Sequence, residues 1–333
     1  MEKKTFLRIG LGLGLAEVAI LFLQLLRFYM LNPQVASLFN DSNDPTRLGR
    51  ASYNTLFNLI FYCLMTLVVF LLLRGLPGMP RLPKKTIGEG VASKSGAARS
   101  VGVFVLLMAI CFGFGYLLAI GGELLDNIFR SGMRNIFTPI FGPPVPNSIN
   151  PTIFDTIANL LGAVVMAPLF EEYIFRRLVL DKLRPFGDVT AIVFSGLAFG
   201  LTHLNFNQFF FASFLGMIFG YVMIKTNRLI YPILMHFVFN LINTLNGIIS
   251  DAARPAVLAL FMLIFIGFIL AVIVIGVTVF FTNLKRIRFQ LPAFRFSRPL
   301  GGKLVLLNVG TVFAFVIYAV MFVFTAIQDL ILK

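Results

Sequence analysis

The sequence predicts an all-α, polytopic transmembrane helix bundle of eight to nine spans, and three observations carry that prediction. Hydrophobic residues make up 58% of the 333-residue chain and charged residues only 13%, with a mean hydropathy of +0.91. The apolar residues are gathered into runs close to the ~20 residues that an α-helix needs to cross a bilayer. The Lys and Arg residues between the runs are distributed unevenly: with the amino terminus inside, the inside segments hold 21 and the outside segments six. A bias of that size is a positive-inside signal. It also argues against the nucleic-acid partner that a net charge of +14 invites, because the cations sit in short loops beside the membrane, where they meet anionic lipid.

The first run, 7–31, follows Lys3, Lys4 and Arg8 in the manner of a signal peptide. It continues to Leu26, too long for a cleaved apolar core, and so reads as a span. Spans follow near 55–73 and 101–120. Between them, Pro77, Pro80 and Pro83 with several Gly and Ser mark 74–100 as a flexible basic linker. The stretch 121–152, with Pro139, Pro143, Pro144 and Pro146, reads as an ordered outside loop or short cap. Four runs near 153–175, 189–204, 209–224 and 229–249 come next, joined by short connections. The last two, 256–282 and 304–327, flank 283–303, where alternating Arg and Phe suit a segment lying on the membrane surface. The chain thus divides into amino-terminal membrane helices with the basic linker (1–149), a core rich in polar motifs (150–250), and carboxy-terminal membrane helices with a basic loop (251–333). Gly10/Gly14, Gly196/Gly200 and Gly216/Gly220 are small-residue pairs four apart, which predict close helix packing in lipid. Cys63 and Cys111 lie in separate runs and read as small buried hydrophobes, neither a disulfide nor a metal pair.

Ionisable residues at membrane depth are costly and point to a functional site facing a wet cavity. Three clusters meet that description. In Glu171-Glu172-Tyr-Ile-Phe-Arg176, Glu172 and Arg176 are four apart and share a helix face, whereas Glu171 lies about 100° round the helix. One carboxylate is thereby neutralised and the other left for chemistry, and Pro168 is placed to free nearby backbone groups. In Phe199-Gly-Leu-Thr-His203 and His236-Phe-Val-Phe-Asn240, each end pair is one helical turn apart. His203 and His236 are the only histidines in the chain. Counted along the helices at ~1.5 Å per residue, Glu171, His203, His236 and Asn240 fall in one band ~12–22 Å from the basic helix ends.

Those three motifs, in this order and spacing, resemble the CAAX protease and bacteriocin-processing (CPBP, or Abi) family of intramembrane endopeptidases. The resemblance covers roughly 150–250. It implies hydrolysis of peptide bonds in membrane-associated or prenylated (CAAX-like) peptides or in peptide precursors. It further implies that Glu171 and His203 activate the attacking water while His236 and Asn240 stabilise the oxyanion, with Glu172, Arg176 and Phe199 in support. A desolvated carboxylate suits the role of general base, and an imidazole and an amide one turn apart can converge on an oxyanion.

Metalloprotease chemistry is the alternative within that family, with Glu171, His203 and His236 as zinc ligands. The histidines lie on different spans and form no His-Glu-x-x-His pair on one helix, so the expectation is metal-free glutamate and histidine chemistry, with no cofactor. Another class of function is a non-enzymatic transporter or bacteriocin-immunity protein, in which the same polar cluster binds rather than cuts. The expected setting is the plasma membrane, as a multi-pass protein with a cytoplasmic amino terminus.

Overall fold

The structure, a computed structural model, describes residues 2–30, 48–78, 84–85, 96–141, 153–252, 255–287, 289 and 308–332. Most of the linker expected over 74–100, most of the surface segment expected over 283–303, and Pro143, Pro144 and Pro146 lie outside those residues. All regular structure among the described residues is helical: α1 (Glu2–Met30), α2 (Leu48–Leu73), α3 (Gly96–Phe141), α4 (Ile153–Phe186), α5 (Asp188–Leu201), α6 (Phe206–Thr226), α7 (Ile230–Ala252), α8 (Pro255–Asn283) and α9 (Val309–Leu332). Eight of these are long and apolar enough to cross a membrane. The chain is a multi-pass membrane protein.

Four expectations are corrected. The run near 189–204 is the shorter helix α5, of 14 residues, whose chain then turns through 202–205 before α6. The stretch 121–152 is not a loop from its start, because α3 runs unbroken to Phe141. Charged residues in that stretch fasten α3 to the start of α6: Asp126 accepts from the backbone N–H of Phe206 at 3.1 Å, and Glu123 accepts from the Asn207 amide. Span four does not end at 175 but continues to Phe186. Of the cysteines, Cys111 is buried as expected, whereas Cys63 is exposed; both are free.

Two apolar clusters hold the bundle. One joins α1, α2, α4, α5, α6 and α9; the other joins α3, α6, α7 and α8. Each predicted small-residue pair marks a close crossing. Gly10 meets the backbone of Gly310 on α9, and Gly196 and Gly200 lie against Ser213 and Met217 on α6. A Cβ on Gly200 would run into Ser213 and come within 2.6 Å of the Phe209 carbonyl oxygen. Gly200→Val is therefore expected to lower stability by at least about 1–3 kcal/mol, because the clash is with backbone and cannot be relieved by a rotamer change. The chain has no Trp, so the fraction surviving heating, read by size-exclusion chromatography, is the measurement. An unchanged midpoint would contradict the close α5–α6 crossing.

Helix α4 changes its winding twice. Leu161–Met166 and Tyr173–Val179 are π-helical, and between them Ala167–Glu172 is an α-helical turn carrying both acids. In the first π segment the N–H of Ala167 bonds to the carbonyl of Gly162. The next bond in that register would run from residue 168 to Ala163, but Pro168 has no N–H to give. Asn240 on α7 supplies the missing donor, its Nδ2 lying 2.7 Å from the Ala163 oxygen. One sequence feature, Pro168, thus explains both a freed carbonyl at membrane depth and the polar residue facing it.

Candidate active site

The site is built where α2, α4, α5 and α7 approach one another, starting from a buried ion pair. Arg176 and Glu172 are fully buried, with Nε 2.9 Å from Oε2, an electrostatic approach without hydrogen-bond alignment. Nη2 lies 3.5 Å from Oε1, and Nη1 donates to Ser195 at 3.1 Å. Ser195 in turn donates to the Phe175 carbonyl at 2.8 Å. The rings of Phe175, Phe199 and Phe219 surround the guanidinium, with centroids 5.0–5.9 Å from Cζ. Gly216 leaves the room for this, since a Cβ there would stand 3.3 Å from Nη2.

The ion pair also reaches α7. His236, buried, places Nδ1 3.0 Å from Glu172 Oε1 and Nε2 3.9 Å from Glu171 Oε2. Glu172 is thus shared between Arg176 and His236, a second tie that the i, i+4 spacing on α4 could not reveal. Phe219 stacks on the His236 ring at 5.7 Å, and Phe199 meets it edge-on at 5.6 Å. The same Phe199 ring contacts the His203 imidazole at 5.0 Å, so one aromatic side chain sits between both histidines and the guanidinium.

Glu171 is the carboxylate left open. Its side chain keeps 16% exposure, against none for Glu172. Tyr62 on α2 donates to Glu171 Oε1 at 3.1 Å and stacks on Phe170 at 5.4 Å. His203 stands at the end of α5 with Nδ1 3.1 Å from the Phe199 carbonyl. A carbonyl only accepts, so Nδ1 carries the hydrogen and Nε2 of the neutral ring is the free acceptor.

The structure therefore brings together Glu171, Glu172, Arg176, Phe199, His203 and His236. Asn240 is nearby on α7, with one amide hydrogen committed to Ala163. Two contributors were not foreseen, Tyr62 and Ser195. Each had a signal at helical spacing: Asn58, Tyr62 and Thr66 form a polar stripe in an otherwise apolar run, and Ser195 continues the stripe of Phe199 and His203. Among the described residues no three His, Cys, Asp or Glu side chains are grouped to hold a metal ion, while both Nδ1 atoms are turned to other partners and leave the two Nε2 atoms open, as in histidines that bind zinc through Nε2.

Residues 153–242 match the family model described as Type II CAAX prenyl endopeptidase Rce1-like. The match agrees with the resemblance carried by the three motifs, and it includes all seven residues singled out from them. It spans α4, α5, α6 and part of α7, leaving α1–α3, α8 and α9 outside. No curated protein matches the chain, and no solved structure does.

Proposed function

We propose that this protein is an intramembrane endopeptidase that hydrolyses peptide bonds of membrane-associated or lipidated, CAAX-like peptides. The observation that carries the reading is the division of labour between adjacent acids. Glu172 is sealed in an ion pair that also holds His236, while Glu171 remains partly exposed beside the His236 Nε2. Water held between Glu171 and His203 Nε2 gives a proton to one of them as its oxygen attacks the scissile carbonyl carbon. With both ring nitrogens protonated, His236 donates from Nδ1 to Glu172 and from Nε2 into the space beside Glu171, where the developing oxyanion is stabilised, and Asn240 adds its remaining amide hydrogen. Collapse breaks the C–N bond, and the proton taken from water passes to the leaving amine. Tyr62, Arg176 and Phe199 act by positioning these groups.

The test is incubation of the purified full chain with lipidated and hydrophobic peptides. Cleavage that disappears in Glu171→Gln is expected; its persistent absence from the wild type would favour the transporter or immunity reading. The metal-free mechanism has its own measurement. Activity should persist in strong chelator, and mass spectrometry should find substoichiometric zinc. Stoichiometric zinc that is lost from His203→Ala and His236→Ala would sink that mechanism.

The charge asymmetry supports placing the amino terminus in the cytoplasm of a cell whose plasma membrane holds the protein, with the site opening to that side. In a variant lacking Cys63 and Cys111, a cysteine at Ser93 should label only from inside and one at Ser148 only from outside. Outside labelling at Ser93 would reverse the orientation.

A further inference from the structure

A cavity of about 320 Å³ opens at the basic end of the bundle, where α2 terminates against the last turns of α4. Four cations line it, Arg74, Arg177, Lys182 and Arg184, against one carboxylate, Asp181. That acid is already engaged, with Arg177 Nη1 2.9 Å from its Oδ2. Lys182 donates to the Leu76 carbonyl at 2.6 Å, which ties the chain leaving α2 to the wall of the cavity.

Arg184 lies behind the other cations. It is only 4% exposed, and its Nε approaches Asp188 at 3.8 Å. Arg74 and Arg177 are therefore the cations that face an anion entering the cavity, and Arg184 adds positive charge to its wall.

The walls are graded along the helix axes. On α2 the aromatic Phe70 stands one turn before Arg74, and on α4 Tyr173 stands one turn before Arg177. Both helices therefore present an aromatic one turn further from the basic end and an arginine at that end, with Leu73 and Leu178 beside them. That order follows the boundary between acyl chain and headgroup, and basic pockets between helices on this side of a membrane suit lipid phosphates. We propose that the cavity holds the phosphate of an anionic phospholipid, with Arg74 and Arg177 donating to it and Arg184 adding charge behind them. A free anion would have no use for the apolar wall. The site is separate from the Glu171 centre and stands whether or not that centre cleaves peptides.

Native mass spectrometry of the detergent-solubilised full chain tests this, titrating phosphatidylglycerol against phosphatidylcholine of the same acyl length. Wild type should retain one phosphatidylglycerol in preference. Arg74→Gln and Arg177→Gln should each weaken that preference about fivefold, while Glu171→Gln leaves it unchanged. Arg74 is exposed, so its replacement leaves folding intact and the result readable. Equal retention of both lipids by wild type, or a preference untouched by both arginine changes, would overturn the proposal. So would displacement of the lipid by equimolar inorganic phosphate, which would make this a free-anion site. Displacement by a hydrophobic peptide acid but not by its amide would equally overturn it, assigning the cavity to the substrate's carboxylate.

Discussion

Glu171→Gln is expected to lower peptide cleavage by about two to four orders of magnitude, the range for loss of a positioned general base. Its thermal midpoint should stay near that of the wild type. Glutamine retains an oxygen that can accept from Tyr62, at the position where Glu171 Oε1 lies 3.1 Å from the phenol. It has no basic oxygen to receive the proton of the attacking water. The side chain is partly exposed and belongs to no tight ion pair, so folding has little to lose. Single-turnover kinetics with heat-challenge chromatography on the same preparation separates the two effects. Wild-type turnover in Glu171→Gln would remove Glu171 from the chemistry, and a collapse in stability would make it structural.

Glu172→Gln should behave in the opposite way. Removing one member of a buried ion pair leaves the other charge uncompensated, at a typical cost of about 3–5 kcal/mol. Here the stranded group is Arg176, fully buried among three aromatic rings. Arg176→Ala should be comparably destabilised, and the double variant should lose less than the sum of the two, because it no longer buries a lone charge. Turnover should fall as well, since His236 loses the carboxylate 3.0 Å from its Nδ1. A thermal series of the wild type, both singles and the double is the measurement. Strict additivity would show that the pair is not coupled.

Residue type and spacing were enough to read much of this architecture. Membrane-length apolar runs follow from the need to satisfy every backbone group internally in lipid, and they appear as eight long helices. The i, i+4 relation of Glu172 and Arg176 is a property of helix geometry and survives the π segment that begins between them. Where pattern misled, proline was the cause. Pro139 and the prolines after it suggested a loop from 121 onward, yet α3 carries Pro139 within it and runs to Phe141, with Glu123 and Asp126 fastened to the start of α6.

By itself the sequence determined the class, the basic asymmetry, the close-packed glycine crossings, and which polar residues share a helix face, because each depends on neighbours within a few residues along the chain. Only the tertiary structure decided that Glu172 serves His236 as well as Arg176, that Tyr62 holds Glu171 across 109 residues, and that Asn240 answers the carbonyl left open by Pro168. Those contacts join different helices, and their distances depend on how the helices cross and rotate. Packing at residues such as Phe199 and Gly216 sets that arrangement, and no local periodicity encodes it.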